Sequence, residues 1–185
     1  MNKSIANYLL ADFSKRYDYD VGYIENMAEI SPGAFYRYLL CTPLSSYRKT
    51  VPAKPYLLAK IVATRHFDCG PCLKLAINMA KESGLDDRKI HAALSDIPEL
   101  LSADEYLATQ YARAVVEQDA ALLVELEGQI ISRWGEAALT DFAIAIAFAA
   151  FYPILRRGLG HAHSCEPILK EVEERFAENT RTDHV

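Results

Sequence analysis

The chain has 185 residues, of which 51% are hydrophobic and 24% charged, and its formal net charge is −5. These values predict a single domain over residues 1–185, and the negative charge argues against nucleic acid as a partner. Four cysteines are too few for a secreted disulfide framework in a chain of this length, so a reducing compartment is favoured.

Neither a signal peptide nor a membrane span is predicted. The N-terminus reaches Asp12 before an apolar segment of signal-peptide length builds up. The longest apolar run, 142–155, contains Pro153 and has about 14 residues, whereas a membrane span needs roughly 18 or more. We therefore expect a soluble, cytoplasmic protein that has no membrane partner.

The N-terminal part of the chain predicts two helices and a connector. Apolar residues at every fourth position between residues 5 and 13 predict a first helix, which ends near residues 17–20. Ser31 followed by Pro32 is typical of a helix start and predicts a second helix through Leu40. Three prolines then predict a connector: Pro43, Pro52 and Pro55.

The middle of the chain predicts three helices. One runs from Tyr56 to about His66, and the next begins at Cys69 and ends at Gly84, a residue suited to a helix C-cap. Asp86 or Asp87 can cap a short third helix, after which Pro98 breaks the chain.

The C-terminal part predicts four more helices and no convincing strand. Ser102 and Glu105 have the spacing of a capping box, which predicts the start of the first of these helices. The second of them ends at Gly135. A long apolar helix follows from about Leu139 and is expected to kink or break at Pro153. Apolar residues from 168 to 176 predict a last amphipathic helix, so the fold class is all-α.

Residues 30–67 contain no Asp or Glu but carry six basic residues: Arg37, Arg48, Lys49, Lys54, Lys60 and Arg65. A solvated basic face is the favoured interpretation of this segment. The alternative is a positive field beside Cys69 and Cys72 that stabilises a thiolate or attracts an acidic substrate.

The sequence Cys69-Gly70-Pro71-Cys72 places two thiols at a predicted helix start. Backbone N–H groups and the helix dipole stabilise a thiolate there, and in C-x-x-C motifs the cysteine pKa falls from roughly 8.5 to about 3.5–7.5. One cysteine can attack a substrate while the other closes a disulfide, which an external reductant must reopen. This pattern predicts thiol-disulfide redox chemistry, and a pair of inert packed thiols is the structural alternative.

The surrounding residues distinguish two families that share such a site. Thioredoxin places the motif after a buried strand, usually with a Trp just before it, whereas here Asp68 precedes the motif and no strand pattern flanks it. The stretch instead resembles the alkylhydroperoxidase D-like, or carboxymuconolactone decarboxylase, superfamily, whose motif is C-x-x-C-x-x-x-H-x-x-x-A-x-x-x-G. Cys69, Cys72, Ala80 and Gly84 are in register with it, and the resemblance covers about residues 56–165.

The resemblance implies an all-α domain with a C-x-x-C helical hairpin that reduces hydroperoxides. Cys72 would react with the peroxide and Cys69 would resolve it as a disulfide. The substrate would be a hydroperoxide or a disulfide, the reductant an unidentified thiol, and no cofactor is expected. A homo-oligomer is also expected. The alternatives are a family member whose cysteines pair without turnover, and a decarboxylase-like enzyme.

Two positions depart from the family pattern. The motif histidine is replaced by Ala76, and the glutamate expected about twelve residues before the first cysteine falls at Leu57. Neither side chain can move a proton. His66 and Asp68 are close enough in sequence to substitute as catalytic groups, although a solvated loop histidine and a capping aspartate are the favoured interpretations.

A second cluster, residues 161–165, contains His161, His163 and Cys165. These side chains could ligate zinc together with Cys69 and Cys72, but their spacing matches no known zinc motif. A polar loop after two glycines explains the cluster, and no metal site is expected.

Overall fold

Ten α-helices, one short 3-10 helix and no strand make up the regular structure in the described part of the chain, which confirms the predicted all-α class. This computed structural model describes the backbone of residues 3–161 and 163–182 and the side chains of residues 8–161 and 163–179. The helices are α1 (Lys3–Tyr17), α2 (Gly22–Ile30), α3 (Pro32–Ser45), α4 (Ala53–His66), α5 (Gly70–Glu82), α6 (Asp87–Ser95), α7 (Ala103–Glu117), α8 (Ala120–Trp134), α9 (Ala137–Gly158) and α10 (Glu166–Thr182), with the 3-10 helix Pro98–Leu100 between α6 and α7.

Several helix ends lie where local sequence signals predict them. The Asp86 carboxylate accepts the Lys89 N–H at the start of α6, and Ser102 and Glu105 form the predicted capping box of α7. Gly84 and Gly135 follow α5 and α8 with φ values of +82° and +84°, a conformation that glycine adopts without steric cost. These ends could be predicted because each depends on residues only a few positions apart in the sequence.

Two of the prolines lie inside helices. Pro43 lies inside α3, so the predicted connector begins only after Ser45. Pro153 lies inside α9, which continues to Gly158, so the break predicted there as one of two outcomes is wrong. Pro55 lies in the first turn of α4, where a missing N–H costs little. Pro153 is buried, and packing of the surrounding apolar surface outweighs the roughly 3 kcal/mol that an interior proline costs.

Helix α2 was not predicted from the sequence.

Helix α4 is the centre of the main hydrophobic core. It packs against α5, α6, α7 and α9, and its residues Leu58, Ala59, Ile61 and Ala63 are fully buried. The single tryptophan, Trp134 at the end of α8, packs against this core through Phe142 of α9, with ring centroids 5.8 Å apart.

A second apolar cluster is formed by α1, α2, α3 and the loop after α1. Its buried residues are Leu10, Tyr19, Val21, Tyr23, Ile24, Met27 and Phe35. Leu75 of α5 and Leu155 of α9 pack against this cluster. The N-terminal helices therefore cover one side of α5 and α9, and the cysteine pair lies near this junction.

Helix α9 is long and apolar enough to cross a membrane by length and composition, because it extends beyond the 142–155 run considered in the sequence. Its residues Phe142, Ala145 and Ile146 belong to the main core, while less than half of its most apolar stretch is buried. The expectation that the protein has no membrane partner stays a prediction.

A buried carboxylate ties α9 to the segment before α4. Asp141 is 1% exposed, and its oxygens accept the backbone N–H groups of Lys49 (3.1 Å), Thr50 (2.6 Å) and Val51 (2.9 Å). Three donors compensate the loss of water around the charge. This contact fixes the start of α4 relative to α9.

Candidate functional site

The two motif cysteines lie at the N-terminus of α5. Cys69 is the N-cap residue, Gly70 and Pro71 are the first two helical residues and Cys72 is the third. Both are free thiols, and their side chains are within hydrogen-bonding contact of each other. The predicted placement at a helix start is therefore present, and the thiols do not point apart.

The two thiols share one proton when the pair is singly ionised. A hydrogen bond from Cys72 is the largest cause that lowers the pKa of Cys69 to about 7, and the charges of Arg156 and Arg157 act in the same direction. The hydrogen bond to Cys69 and burial raise the pKa of Cys72. The first proton is therefore lost near neutral pH, and the negative charge resides mainly on Cys69.

Cys69 has the lower pKa, but Cys72 is the more accessible to solvent. Cys69 is fully buried, whereas Cys72 is 6% exposed and lines a partly open cavity of about 320 Å³. A substrate in this cavity would meet Cys72 and not Cys69. The more ionised sulfur is thus the less accessible one.

We call this space the thiol cavity. Residues of α1 to α5 and α9 and of the loops next to them form its wall, and many of these residues are aromatic. The lining residues are Phe13, Tyr19, Tyr23, Ile24, Tyr38, Thr42, Ser45, Ser46, Lys60, Thr64, Cys72, Leu75, Ala76, Met79, Phe148, Ala149, Tyr152 and Pro153. Its volume lies at the lower end of the range for small-molecule sites, roughly 300–1,000 Å³.

A chain of three tyrosine hydroxyls borders the cavity beside Cys72. The Tyr19 and Tyr23 hydroxyls are 3.2 Å apart, and those of Tyr23 and Tyr38 are 3.1 Å apart. Burial is the largest cause that raises the pKa of all three tyrosines, so they stay protonated. A hydrogen bond from the Tyr19 hydroxyl favours the Cys72 thiolate. The chain can donate hydrogen bonds to an anion that forms beside Cys72.

Arg156 places a buried positive charge near the thiols. It is 1% exposed, its Nε donates to the His161 carbonyl (2.7 Å), and its guanidinium binds the Asp20 carboxylate (2.6 Å). The guanidinium carbon lies 4.8 Å from the Tyr23 ring centroid. Sequence analysis missed Arg156 and Asp20, because 136 positions separate them. The only signal was a basic pair at the end of a predicted apolar helix.

The segment before α10 packs directly on the start of α5. The Gly70 N–H donates to the His163 carbonyl (2.8 Å), and the Cys165 N–H donates to the Asp68 carboxylate (2.8 Å). A Cβ atom on Gly70 would lie 2.4 Å from the Ser164 carbonyl oxygen. Gly70 is therefore required by this close approach.

The other two predicted catalytic residues lie beside the motif but outside the thiol cavity. His66 is exposed at the end of α4 and makes an edge-to-face contact with Phe67 at 5.2 Å. The Asp68 carboxylate binds the Cys165 N–H, which lowers the pKa of Asp68. Asp68 does not cap α5, because Cys69 is the N-cap residue. The structure brings together Cys69 and Cys72, while Asp68 positions the loop that follows α9.

The two positions at which the family has a histidine and a glutamate supply no proton carrier in this protein. Ala76 lines the thiol cavity, and Leu57 packs against the main core. Lys60 is the member of the basic 30–67 segment that lines the cavity, and burial lowers its pKa to about 8. The cations that act on Cys69 are Arg156 and Arg157, which lie outside that segment.

The histidine and cysteine cluster has structural contacts in the described residues. His161 packs 6.3 Å from the Tyr23 ring, and Cys165 is fully buried, which raises its pKa to about 12. Ala162 of the cluster lies outside the described residues. Within residues 3–161 and 163–182, no three His, Cys, Asp or Glu side chains converge as a metal site requires.

Comparisons with protein-family models, curated proteins and solved structures found no match to this chain. Membership of the alkylhydroperoxidase D-like superfamily therefore stays a prediction from the C-x-x-C motif.

Proposed function

We propose that this protein is a dithiol peroxidase that reduces organic hydroperoxides, with Cys72 as the attacking thiol and Cys69 as the resolving thiol. The observation that carries the proposal is the contact between two free thiols, of which Cys72 lines a partly open cavity. We also propose an alkylhydroperoxidase D-like fold with a C-x-x-C helical hairpin over about residues 56–165. The contact between the consecutive helices α4 and α5, with the cysteine pair at the start of α5, supports this proposal.

The Cys69 thiolate is the base that neither Ala76 nor Leu57 can supply. The Cys69 thiolate takes the proton of the Cys72 thiol, and the Cys72 sulfur attacks the peroxide O–O bond. Cys72 becomes a sulfenic acid, and the departing alkoxide takes the proton from Cys69 and leaves as an alcohol. Hydrogen bonds from the Tyr19 hydroxyl chain stabilise the developing oxyanion.

Closure of the disulfide completes the oxidation. The Cys69 thiolate attacks the Cys72 sulfenic acid and displaces hydroxide, which takes a proton from solvent and leaves as water. One hydroperoxide is thus reduced to an alcohol and water while two thiols are oxidised to one disulfide. An external thiol returns the pair to the reduced form and is itself oxidised to a disulfide. A disulfide substrate would react with the reduced pair in place of the hydroperoxide: the thiolate attacks one substrate sulfur, the other sulfur leaves as a thiol, and closure of the Cys69–Cys72 disulfide releases the second thiol.

A titration of reduced protein with cumene hydroperoxide tests the proposal. We expect the loss of two thiols per chain, and a disulfide-linked peptide containing Cys69 and Cys72 in mass spectrometry. Cys72→Ser should abolish peroxide consumption, whereas Cys69→Ser should stop at a Cys72 sulfenic acid that a dimedone probe traps.

Cys41→Ser is the matched control, because Cys41 lies outside the thiol cavity and donates its S–H to the Arg37 carbonyl. This variant should titrate like the wild type at the remaining thiols. Peroxide consumption by Cys72→Ser would contradict the assignment.

A second candidate is a protein whose cysteines pair without turnover. It is favoured by the complete burial of Cys69 and by the absence of a proton carrier at Ala76 and Leu57. In that case reduced thiols would survive excess cumene hydroperoxide but form a disulfide with a thiol-disulfide redox buffer. The cytoplasmic location and the homo-oligomer stay predictions, and sedimentation velocity would measure the second.

A further inference from the structure

The thiol cavity contains a lysine whose charge no described carboxylate neutralises. Lys60 is partly buried, its Nζ donates to the Ser45 carbonyl (3.0 Å), and it lies 5.7 Å from the Tyr56 ring centroid. Among the described residues, no ion pair includes Lys60. None of the described residues that line the cavity is acidic.

An ammonium group withdrawn from water without a counter-ion is unfavourable. Burial lowers the pKa of Lys60 to about 8, so the group is still mostly protonated at neutral pH. Capping the carbonyl at the end of α3 uses one of its three N–H donors. The two remaining donors and the positive charge are available to an anionic ligand.

The rest of the cavity is suited to the other parts of such a ligand. Its aromatic and aliphatic wall suits a hydrocarbon chain, and the Thr42 hydroxyl can donate to a second carboxylate oxygen. The Ser46 and Thr64 hydroxyls in the same wall already donate to the Pro43 and Lys60 carbonyls. Cys72 lines the same cavity. The volume of about 320 Å³ favours a chain of medium length over a long lipid.

We propose that the thiol cavity takes an amphipathic organic hydroperoxide that carries a carboxylate, with the carboxylate bound to Lys60 and the peroxide group next to Cys72. This inference rests on the proposed peroxidase function. The chemical step is unchanged: the two thiols reduce the O–O bond to an alcohol and water, while the carboxylate and Lys60 form only a non-covalent pair.

Calorimetric titration of the full, reduced chain with octanoate and with 1-octanol tests the binding part without any peroxide. Wild-type protein should bind octanoate about tenfold more tightly than 1-octanol, because one partly buried charged hydrogen bond provides about that difference in affinity. Lys60→Met and Lys60→Gln should each reduce this preference to within about twofold, the residual effect of unspecific attraction. Lys60→Arg should keep it.

Lys54→Met is the matched control, since Lys54 is exposed on the same helix and does not line the cavity. It should retain the octanoate preference. Lys60→Gln keeps a donor for the Ser45 carbonyl, so it tests the charge in a folded protein even if Lys60→Met does not fold. Equal affinity of the wild type for the two ligands, or a preference that persists in folded Lys60→Gln, would overturn the inference.

Single-turnover thiol oxidation then separates this inference from the peroxidase proposal. Octanoate should slow the oxidation of wild-type Cys72 by cumene hydroperoxide, because both ligands occupy the thiol cavity. Oxidation that octanoate does not slow would retain the peroxidase and reject the inference. Octanoate binding to a protein whose thiols resist every hydroperoxide would reject the peroxidase and the substrate assignment, while the carboxylate site would stand.

Discussion

At the scale of single residues, the shared proton separates two properties that usually occur together in a reactive cysteine. Cys69 holds the negative charge, but it is fully buried; Cys72 lines the cavity, but its pKa is raised. Attack by Cys72 then requires transfer of its proton to Cys69. The pH dependence of the reaction is therefore determined by the pair and not by either thiol alone.

The first prediction concerns this pH dependence. Because the pKa of Cys69 is lowered to about 7, the singly ionised pair dominates above that pH and the neutral dithiol below it. The single-turnover rate with cumene hydroperoxide should rise roughly tenfold between pH 6 and pH 8, with its midpoint near 7. Stopped-flow measurement of thiol loss checks this.

Cys69→Ser provides the comparison. Its remaining Cys72 has no thiolate neighbour to accept the proton, and burial raises its pKa, so the rate should still be rising at about pH 9. A midpoint that stays near 7 in this variant would show that the group which titrates is not Cys69.

At the scale of elements, the contact between the 163–165 segment and the start of α5 fixes the cysteine pair. Replacing Gly70 with Ala would put a methyl group 2.4 Å from the Ser164 carbonyl oxygen, and the backbone on both sides is hydrogen-bonded. We expect a loss of about 1–3 kcal/mol in the free energy of unfolding, as for other overpacked sites. Urea unfolding measures it.

Gly128→Ala is the matched control for this substitution. Gly128 lies inside α8, and nothing lies within 4 Å of the added Cβ. Alanine should increase stability there by about 0.5–1 kcal/mol, because it has the higher helix propensity. Equal effects of the two substitutions on the free energy of unfolding would mean that the 163–165 segment shifts to accommodate the methyl group without loss of stability.

A second prediction at this scale concerns Asp141, which connects α9 to the residues before α4. Asp141→Asn places an amide donor opposite backbone N–H groups that need acceptors, so we expect a loss of about 1.5–3 kcal/mol. Asp12→Asn, an exposed change on α1, should leave the urea midpoint unchanged. A neutral Asp141→Asn would contradict the structural role of this carboxylate.

At the scale of the whole molecule, the sequence predicts what local contacts decide and misses what distant segments build together. Asp86, Ser102 and Gly135 end or start helices through neighbours a few positions away, and all three were predicted. The partners of Cys72 within the cavity come from the N-terminal cluster and from α4 and α9. No periodicity in the sequence indicates that Tyr19 or Lys60 would face a cysteine.

The same distinction applies at the prolines and in the basic segment. Pro43 and Pro153 both lie inside helices, although proline disfavours a helix interior. Pro153 is buried among distant segments, whereas Pro43 is exposed and the structure gives no packing reason for its position. The charges of Arg156 and Arg157 lower the pKa of Cys69, and the sequence could not indicate them because the chain returns to the motif only at the end of α9. Folding of the entire chain therefore completes the site.

The position of Trp134 provides an intrinsic optical probe that is separate from the chemistry. As the single tryptophan of the chain, it reports on α8 and its contact with Phe142, and α8 contributes no residue to the thiol cavity. Fluorescence emission should follow the melting of the main core in both the dithiol and the disulfide forms, with little direct quenching by the reacting sulfurs. A difference between the two emission midpoints would then measure how much the oxidation state changes global stability.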